Sequence, residues 1–542
     1  VPAPPPAEGV VPLNGPANRT PRPGCRTRRA GRSPRSVARP PLLVVVAAAA
    51  VAAATLIPLG FVAVSTVTTD PQTAAGLVLR PRVGLLLTNT VALVALTVPL
   101  CVVLGVTAAW LVERTDLPGA RVWSLLLAAP LAIPAFVNSY AWISTMPRLA
   151  GLTGGVLISV LSYFPLVYIP AAAMLRRLDP ALEQSAASLG QGPWRVFLRV
   201  VLPQLRIAVL GGSLVVALHL LAEFGAFSMI RFDTFTTAIM DQYKSTFNSS
   251  AANMLAAVLV GLCLVLLVIE ASARGNARYA KVGSGSSGGP GISRLRGWTV
   301  PSTAFVVALL ILALGVPLYS IGRWLFAGGV AAWDLPELSA ALGQSIGFGV
   351  LGALATTVLA YPVAWLTVRF PGRFSALLES VDYVASSMPA IVVGLAFITV
   401  TVHWFYPLYQ TLPVVIAAYV LLLLPRALVN LRAGIAQVPH QLEEAAAALG
   451  GGPVRTFVRV TLRLTAPAAA AAGALTFLGV VNELTATLLL APTGTRTLAT
   501  RFWSLSAELD YAAAAPYALA MIVISLPMTY LLYRQSQKAL GL

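Results

Sequence analysis

Leu182-Glu-Gln-Ser-Ala-Ala-Ser-Leu-Gly190-Gln-Gly-Pro-Trp-Arg-Val-Phe-Leu-Arg-Val-Val-Leu202 returns 260 residues later as Leu442-Glu-Glu-Ala-Ala-Ala-Ala-Leu-Gly450-Gly-Gly-Pro-Val-Arg-Thr-Phe-Val-Arg-Val-Thr-Leu462. Thirteen of the twenty-one positions are identical without a gap. Each copy is a polar island in an apolar chain, and an island that repeats while its greasy surroundings drift marks a contact made twice. Asp179-Pro180 opens a helix, with Asp as the cap and Pro in the first turn. Gly190 stops it, and Gly192-Pro193 opens a second short helix through Leu202. The predicted product is a helix–turn–helix elbow with Arg195 and Arg199 one turn apart on one face. Ala186 and Ala187 keep the first helix thin, which lets another protein's backbone approach, and Glu183 can bond exposed N–H groups or a basic partner. The second copy keeps Glu443, Ala446, Gly450, Pro453, Arg455 and Arg459, but begins Pro439-His440 and has Arg463 in place of Pro203. A plain loop resting in lipid headgroups explains the arginines. It does not explain Glu-x-x-Ala followed by Gly at one spacing, twice.

Of 542 residues, 57% are hydrophobic and 10% charged, against about 25% charged in soluble domains. With a mean hydropathy of +0.81, lipid is the solvent for most of the chain. The net charge of +18 does not imply nucleic acid, because the cations sit between apolar runs. Seven arginines lie between Arg22 and Arg39, ahead of the first run, and most others lie in short loops, as the positive-inside bias requires. Cys25, Cys101 and Cys263 are scattered, with no spacing for a disulfide framework or a zinc site.

Backbone polar groups in a bilayer must be satisfied within their own segment, so long apolar runs become helices of about 20 residues. Twelve are predicted: 41–67, 83–112, 122–146, 152–175, 207–230 and 250–269, then 298–322, 340–368, 383–402, 411–431, 464–491 and 512–533. Glu223 and Glu483 interrupt spans five and eleven. Arg426 is placed near the end of span ten, snorkelling to the inner interface. Twelve spans put both termini on one side. The tail, the loops after spans four and ten, and the linker with Arg274, Arg278, Lys281, Arg294 and Arg296 carry the cations, so that side is the cytoplasm. Residues 1–40, rich in Pro, Gly and Arg, read as a disordered basic cytoplasmic tail. A cleaved signal peptide would have an earlier and shorter apolar run. Residues 274–297 read as a flexible Gly/Ser-rich linker.

That linker separates a first repeat, 41–273 with its core at 83–273, from a second, 298–542 with its core at 340–533. Glu223 matches Glu483 at the island's offset of 260, as Thr237 matches Thr497. Upstream the offset is 255: Trp110 matches Trp365, Arg114 matches Arg369, and Pro134-Ala135 matches Pro389-Ala390. Six spans is an even number, so the repeats are parallel and related by an axis along the membrane normal, a common plan for transporters.

Both islands resemble the EAA loop of binding-protein-dependent ABC importer permeases. The resemblance implies an all-α membrane protein of about twelve spans, two parallel six-span repeats of the type I importer kind, in the cell membrane. It implies that each loop is a coupling helix seated in a cleft on one of two ABC ATPase subunits, read as a homodimer, while a solute-binding protein docks outside. Glu183, Ala186, Gly190, Pro193 and Arg195, with Glu443, Ala446, Gly450, Pro453 and Arg455, would form the two coupling loops. The chain itself holds no nucleotide site: its three lysines, Lys244, Lys281 and Lys538, do not follow glycine, so a phosphate-cradling GxxxxGK loop is impossible. No catalytic cluster is present. The resemblance leaves ATP and magnesium to the partner subunits, and no cofactor to this chain.

The stretches Ala222-Glu-Phe-Gly-Ala-Phe-Ser and Asn482-Glu-Leu-Thr-Ala-Thr, within a fused twelve-span chain, look most like ferric-iron importer permeases. Related fused permeases carry thiamine or phosphonates. Glu223 and Glu483 are the candidate gate or pathway residues, because a carboxylate within a span is costly and faces a bundle interior or water. The opposing reading has them hydrogen-bonded near outer helix ends. His403, Tyr406 and Tyr409 sit near an outer loop, but Trp404, Phe405, Tyr406 and Tyr409 read as an interfacial aromatic belt before they read as metal ligands. The competing class is an ion-coupled secondary transporter, which would need coupling charges in several spans and leaves the doubled elbow unexplained.

Overall fold

A computed structural model of the protein describes residues 40–178, 180–274, 293–385 and 387–538. The expected tail through residue 39, the linker over 275–292 and the cap residue Asp179 lie outside the described residues. Among these residues the regular elements are helices, with one isolated bridge between Thr115 and Ser293.

Eight helices among the described residues are long and apolar enough to cross a membrane unbroken: Pro81–Arg114, Gly151–Arg176, Ser249–Ala273, Arg296–Ala332, Leu335–Arg369, Leu412–Gln437, Val454–Val481 and Tyr511–Leu531. Four bent pairs bring the number to twelve if each pair is one span. These are Leu42–Thr55 with Ile57–Thr68, Ala120–Ala132 with Ala135–Thr145, Phe197–Gln204 with Arg206–Ala222, and Arg373–Ala385 with Ala390–Trp404. Each of the twelve overlaps a predicted apolar run, but spans five, nine and eleven begin ten residues before theirs, and spans five and eleven end ahead of Glu223 and Glu483 instead of running past them. The bends have local causes. Proline disfavours the helical region for the residue before it. Ile133 is accordingly extended, Pro134 sits at the next helix's N-cap, and the two pieces meet at 91°. Pro389 occupies the matching cap of Ala390–Trp404. Span five bends by 60° after Pro203, whereas span eleven, with Arg463 at that position, runs unbroken from Val454 to Val481.

Lipid offers no hydrophobic drive between helices, so spans associate by close packing at small residues. A Cβ on Gly105 would lie 2.9 Å from the Tyr168 backbone N, one on Gly212 2.9 Å from the Leu166 carbonyl, and one on Gly434 would collide with Ala468 Cβ. These contacts bind spans two, four and five in the first half and spans ten and eleven in the second.

The first span of each repeat packs on the other repeat. Ala48 and Val51 of span one are buried with Ala360, Val363 and Leu428 of the second half. Val306, Leu309 and Ala313 of span seven are buried in the first half's core with Leu161 and Phe164. Arg323 of span seven donates to the Ser144 carbonyl at 2.7 Å, and Ser320 shares a 2.8 Å hydroxyl bond with Ser144. Apolar runs look alike on every side, so this exchange leaves no mark in the sequence.

Candidate functional site

Both islands fold as elbows with matching geometry. The first helices are Pro180–Ser188 and His440–Ala448. Gly190 and Gly450 follow with φ of +76° and +81°, a left-handed conformation that glycine adopts without strain. The Gly190 N–H donates to Ala187 O at 3.0 Å and the Gln191 N–H to Ala186 O at 3.2 Å; the Gly450 and Gly451 N–H groups bond Ala447 and Ala446 O, each at 3.0 Å. This is the Schellman arrangement, which satisfies the last carbonyls of a helix. Pro193 and Pro453 then open four-residue helices that pass into π-helical turns, Phe197–Val201 and Phe457–Thr461. Single π turns inside α-helices are frequent at functional positions. Each turn rests its phenylalanine on span two or its mate: Phe197 meets Trp110 at 5.8 Å between ring centroids, and Phe457 meets Tyr361 at 5.4 Å.

The signature glutamates face inward. Glu183 Oε1 lies 2.9 Å from Arg114 Nη2, and Glu443 Oε1 lies 2.9 Å from Arg369 Nη2. Arg114 and Arg369 are the last residues of helices Pro81–Arg114 and Leu335–Arg369, so each ion pair pins an elbow to the end of a long span. Glu443 also accepts from Thr461 Oγ1 at 2.8 Å, and the Arg369 guanidinium donates twice to the Val438 carbonyl at 3.1 Å. Burial pushes the Glu183 carboxyl above its ordinary range, and Arg114 only partly offsets this.

This orientation corrects the expected roles. The basic partner of Glu183 is intramolecular. Ala186 is buried and Ala446 half-buried, so these alanines bring the elbow close to its own bundle instead of admitting another backbone; Ala187 stays exposed on the outer face. Also exposed on the elbows are residues not singled out from sequence: Leu182 and Leu189, 49% and 80% exposed, and Leu442 and Leu449, 46% and 90% exposed. Leucine identical in both copies of a polar island was the available signal. Arg195, Arg199, Arg455 and Arg459 are exposed beside them.

Glu223 and Glu483 do not interrupt continuous helices; helices end at them. Arg206–Ala222 stops at Glu223 and Leu462–Val481 stops just before it reaches Glu483. Each carboxylate caps the short helix that follows, Glu223 Oε1 accepting from the Ala226 N–H at 2.9 Å and Glu483 Oε1 from the Ala486 N–H at 3.0 Å. These caps adjoin the seam between the halves: a Cβ on Gly225 would meet Phe136 Cβ at 2.9 Å and Leu484 Cδ2 at 3.0 Å, and the Phe224 and Trp503 rings lie 5.3 Å apart. A cavity of about 240 Å³ opens along the seam, lined by Tyr140, Ser228, Arg231, Trp503 and Tyr511 among others.

Arg426 also departs from expectation. Its helix continues to Gln437, so Arg426 lies about 21 Å from one end and about 16 Å from the other at 1.5 Å per residue. It reaches across the seam to His219 Nε2, 3.5 Å from Nη2. Counting charges in a run could not reveal that partner. The threonine register shifts as well. The caps of helices Phe235–Lys244 and Leu498–Ala507 are Thr234 and Thr497, each boxed with the threonine three residues on. Thr234 is therefore the mate of Thr497, and the second loop is three residues longer. The aromatic belt residues Trp404, Phe405 and Tyr406 are exposed. Among the described residues, no three His, Cys, Asp or Glu side chains gather at metal-binding distance.

Two parallel repeats, each with one elbow pinned to its second span, are matched by one family. The chain fits the Binding-protein-dependent transport system inner membrane component family over residues 102–273 and again over 356–540, one elbow in each segment. The chain belongs to this family of ABC importer permeases. The permease is 35% identical over 503 residues to the Fe(3+)-transport system permease protein FbpB 2 of Haemophilus influenzae, covering 92% of this chain and 99% of that protein. It is 22% identical to the Ferric transport system permease protein FbpB of Actinobacillus pleuropneumoniae over 74% of this chain and 61% of that one. Shorter relatives match a single repeat: the Molybdenum transport system permease protein ModB of Escherichia coli is 29% identical over 31% of this chain and 82% of its own.

Proposed function

We propose that this permease passes ferric iron from an extracytoplasmic binding protein into the cytoplasm, driven by two separate ATPase subunits, a homodimer, seated on its elbows. The observation that carries the cargo is the 35% identity to the Fe(3+) relative along 92% of the chain, in contrast to the single-repeat matches to relatives named for other cargo. Both termini and both elbows lie in the cytoplasm, in keeping with the arginine-rich segments on that side. The tail at 1–40 and the linker at 274–297 lie there too. ATP and magnesium act on the partner subunits alone.

The mechanism follows from the pinning. Each ATPase grips the outer face of one elbow, through Leu182 and Leu189 on one side of the seam and Leu442 and Leu449 on the other. Closing around ATP moves both elbows. Through Glu183–Arg114 and Glu443–Arg369 each elbow carries its long second span, so displacement reaches the bundle instead of being absorbed by a slack loop. The halves then rock as rigid bodies about the seam. Gly190, Gly450, Pro193 and Pro453 hold the turn, and Arg195 and Arg455 sit at its exposed edge. The test is uptake of radioactive iron, thiamine and an aminophosphonate in a deletion strain. Loss of iron uptake alone is expected; loss of thiamine or phosphonate uptake with iron unaffected would reject the cargo.

A further inference from the structure

The seam cavity lies far from the elbows. Asn89 of span two donates to the Asp233 carbonyl at 2.9 Å. Asn89 and the elbow anchor Arg114 are 25 residues apart on one helix, about 38 Å at 1.5 Å per residue. The loop that carries Arg231 is therefore at the opposite end of the bundle. Arg231 has a φ of +53°, a left-handed conformation that is uncommon for a residue with a side chain. Thr234 and Thr497 are repeat mates, and counting back three residues from each sets Arg231 opposite Gly494, whose φ is +90°. The second repeat meets this backbone with glycine, which adopts it without strain. The first keeps an arginine there, and strained residues of this kind cluster at ligand and active sites. Leu509 is also left-handed, with a φ of +63°, and it lines the same cavity as Arg231.

That cavity, about 240 Å³, takes Ser228 and Arg231 from the first repeat and Trp503, Ser506 and Tyr511 from the second. Ser506 is 7% exposed, and its hydroxyl has no hydrogen-bond partner among the described residues. A buried polar group left unpaired is costly. Arg231 is exposed and makes no ion pair among the described residues. Asp241 lines a second cavity that shares this arginine, but it pairs with Arg82 at 3.7 Å. The seam cavity thus holds one uncompensated positive charge and one free buried hydroxyl. Its aromatic walls are Trp503, Tyr511 and Tyr140, and the Tyr140 hydroxyl is already spent on the Tyr511 carbonyl.

The geometry points to a binding site for a small aromatic carboxylate. Arg231 takes the carboxylate through charge-assisted N–H bonds, Ser506 offers its free hydroxyl, and the aromatic walls cover the ring. A dry cavity of about 150 Å³ accepts benzene, so one of about 240 Å³ suits roughly ten non-hydrogen atoms, by proportion to that case. The walls belong to both repeats, so an occupant bridges the halves at this end and favours the arrangement that closes them around it. The carboxylate need not be the cargo, and the site does not rest on the iron reading.

The test uses the purified full chain in lipid nanodiscs and radiolabelled benzoate in equilibrium dialysis, with protein-free nanodiscs as the blank. Wild type should bind benzoate saturably, one per chain, and excess benzyl alcohol, which lacks the charge, should compete poorly. Arg231→Gly should weaken binding by at least about tenfold, the scale of one lost hydrogen bond to a charged group. Its melting temperature should not fall, since relief of the left-handed strain offsets the entropy that glycine costs. Arg231→Lys, which keeps the charge, should lie between wild type and Arg231→Gly. Ser506→Ala should weaken binding by about threefold or more, part of a neutral hydrogen bond, at an unchanged melting temperature. Wild type without saturable benzoate binding would overturn the inference. So would wild-type affinity in both Arg231→Gly and Ser506→Ala, or an Arg231→Gly chain that melts well below wild type, since that makes the arginine structural. Iron uptake is not part of this readout, so a wrong cargo in the deletion strain and a wrong role for Arg231 give separate results.

Discussion

Glu443→Ala removes the carboxylate that pins the second elbow. Arg369 is then left with a side chain only 9% exposed, no anion beside it, and two bonds to the Val438 carbonyl. Breaking a buried pair from one side costs about 3–5 kcal/mol. The retained carbonyl bonds and the partial exposure of Glu443, 13%, bring the expected loss to about 2–3 kcal/mol, scaled down from that range. The loss falls on the seating of the elbow, because Leu335–Arg369 is anchored elsewhere by its packing in the bundle. At 1.4 kcal/mol per tenfold, the detached population should rise roughly 30- to 150-fold. The assay is hydrogen–deuterium exchange at the Gly450 and Gly451 amides, which close the turn onto Ala447 and Ala446. Their exchange should accelerate by that factor while the amides of Leu412–Gln437 stay protected. Replacing both partners, Arg369→Met with Glu443→Met, should restore protection, since a buried pair exchanged for apolar groups is often neutral or stabilising. Unchanged exchange at Gly450 in Glu443→Ala would refute the pinning, as would acceleration that the double replacement fails to reverse.

Other expected outcomes follow from the same geometry. Gly190→Val and Gly450→Val meet open space, so each costs only its left-handed backbone, about 1–2 kcal/mol; both together should leave ATP hydrolysis running in the assembled complex while uptake falls, and uptake that survives both changes would remove the coupling role. Leu189→Asp and Leu449→Asp should shift thermal stability by less than about 0.5 kcal/mol, as exposed substitutions do, yet abolish co-purification of the ATPase subunits. Gly434→Leu should prevent folding or lower the melting temperature sharply, because even its Cβ collides with Ala468 Cβ; a wild-type melting curve would contradict the packing of spans ten and eleven.

The spans and the elbows were legible because each depends on local chemistry. A run of about 20 apolar residues has one solution in lipid, and Gly190 and Gly450 announce a helix stop whatever surrounds them. What was not legible depends on neighbours. Glu183 could have faced a partner or its own bundle; Arg114 decides it, 69 residues earlier in the chain. Arg426 looked like an interfacial arginine because a charge near the end of an apolar run usually is one, and His219 lies in a different repeat. The exchange of spans one and seven was invisible because Ala48 or Val306 would be equally content against either half. Glu223 and Glu483 were correctly paired as repeat mates, but their capping of Ala226 and Ala486 depends on the helix ending there. Leu189 and Leu449 were readable in principle, as apolar residues kept in both copies of a polar loop.

Vesicle transport tests the account most directly. The purified permease is reconstituted with and without its ATPase subunits, loaded with binding protein and radioactive iron outside, and given either ATP or an ion gradient. Accumulation is expected only when the ATPase subunits and ATP are both present, and it should vanish when Leu189 and Leu449 are both changed to Asp. Iron driven inward by the gradient through the permease alone would contradict the claim that the elbows are where the work enters.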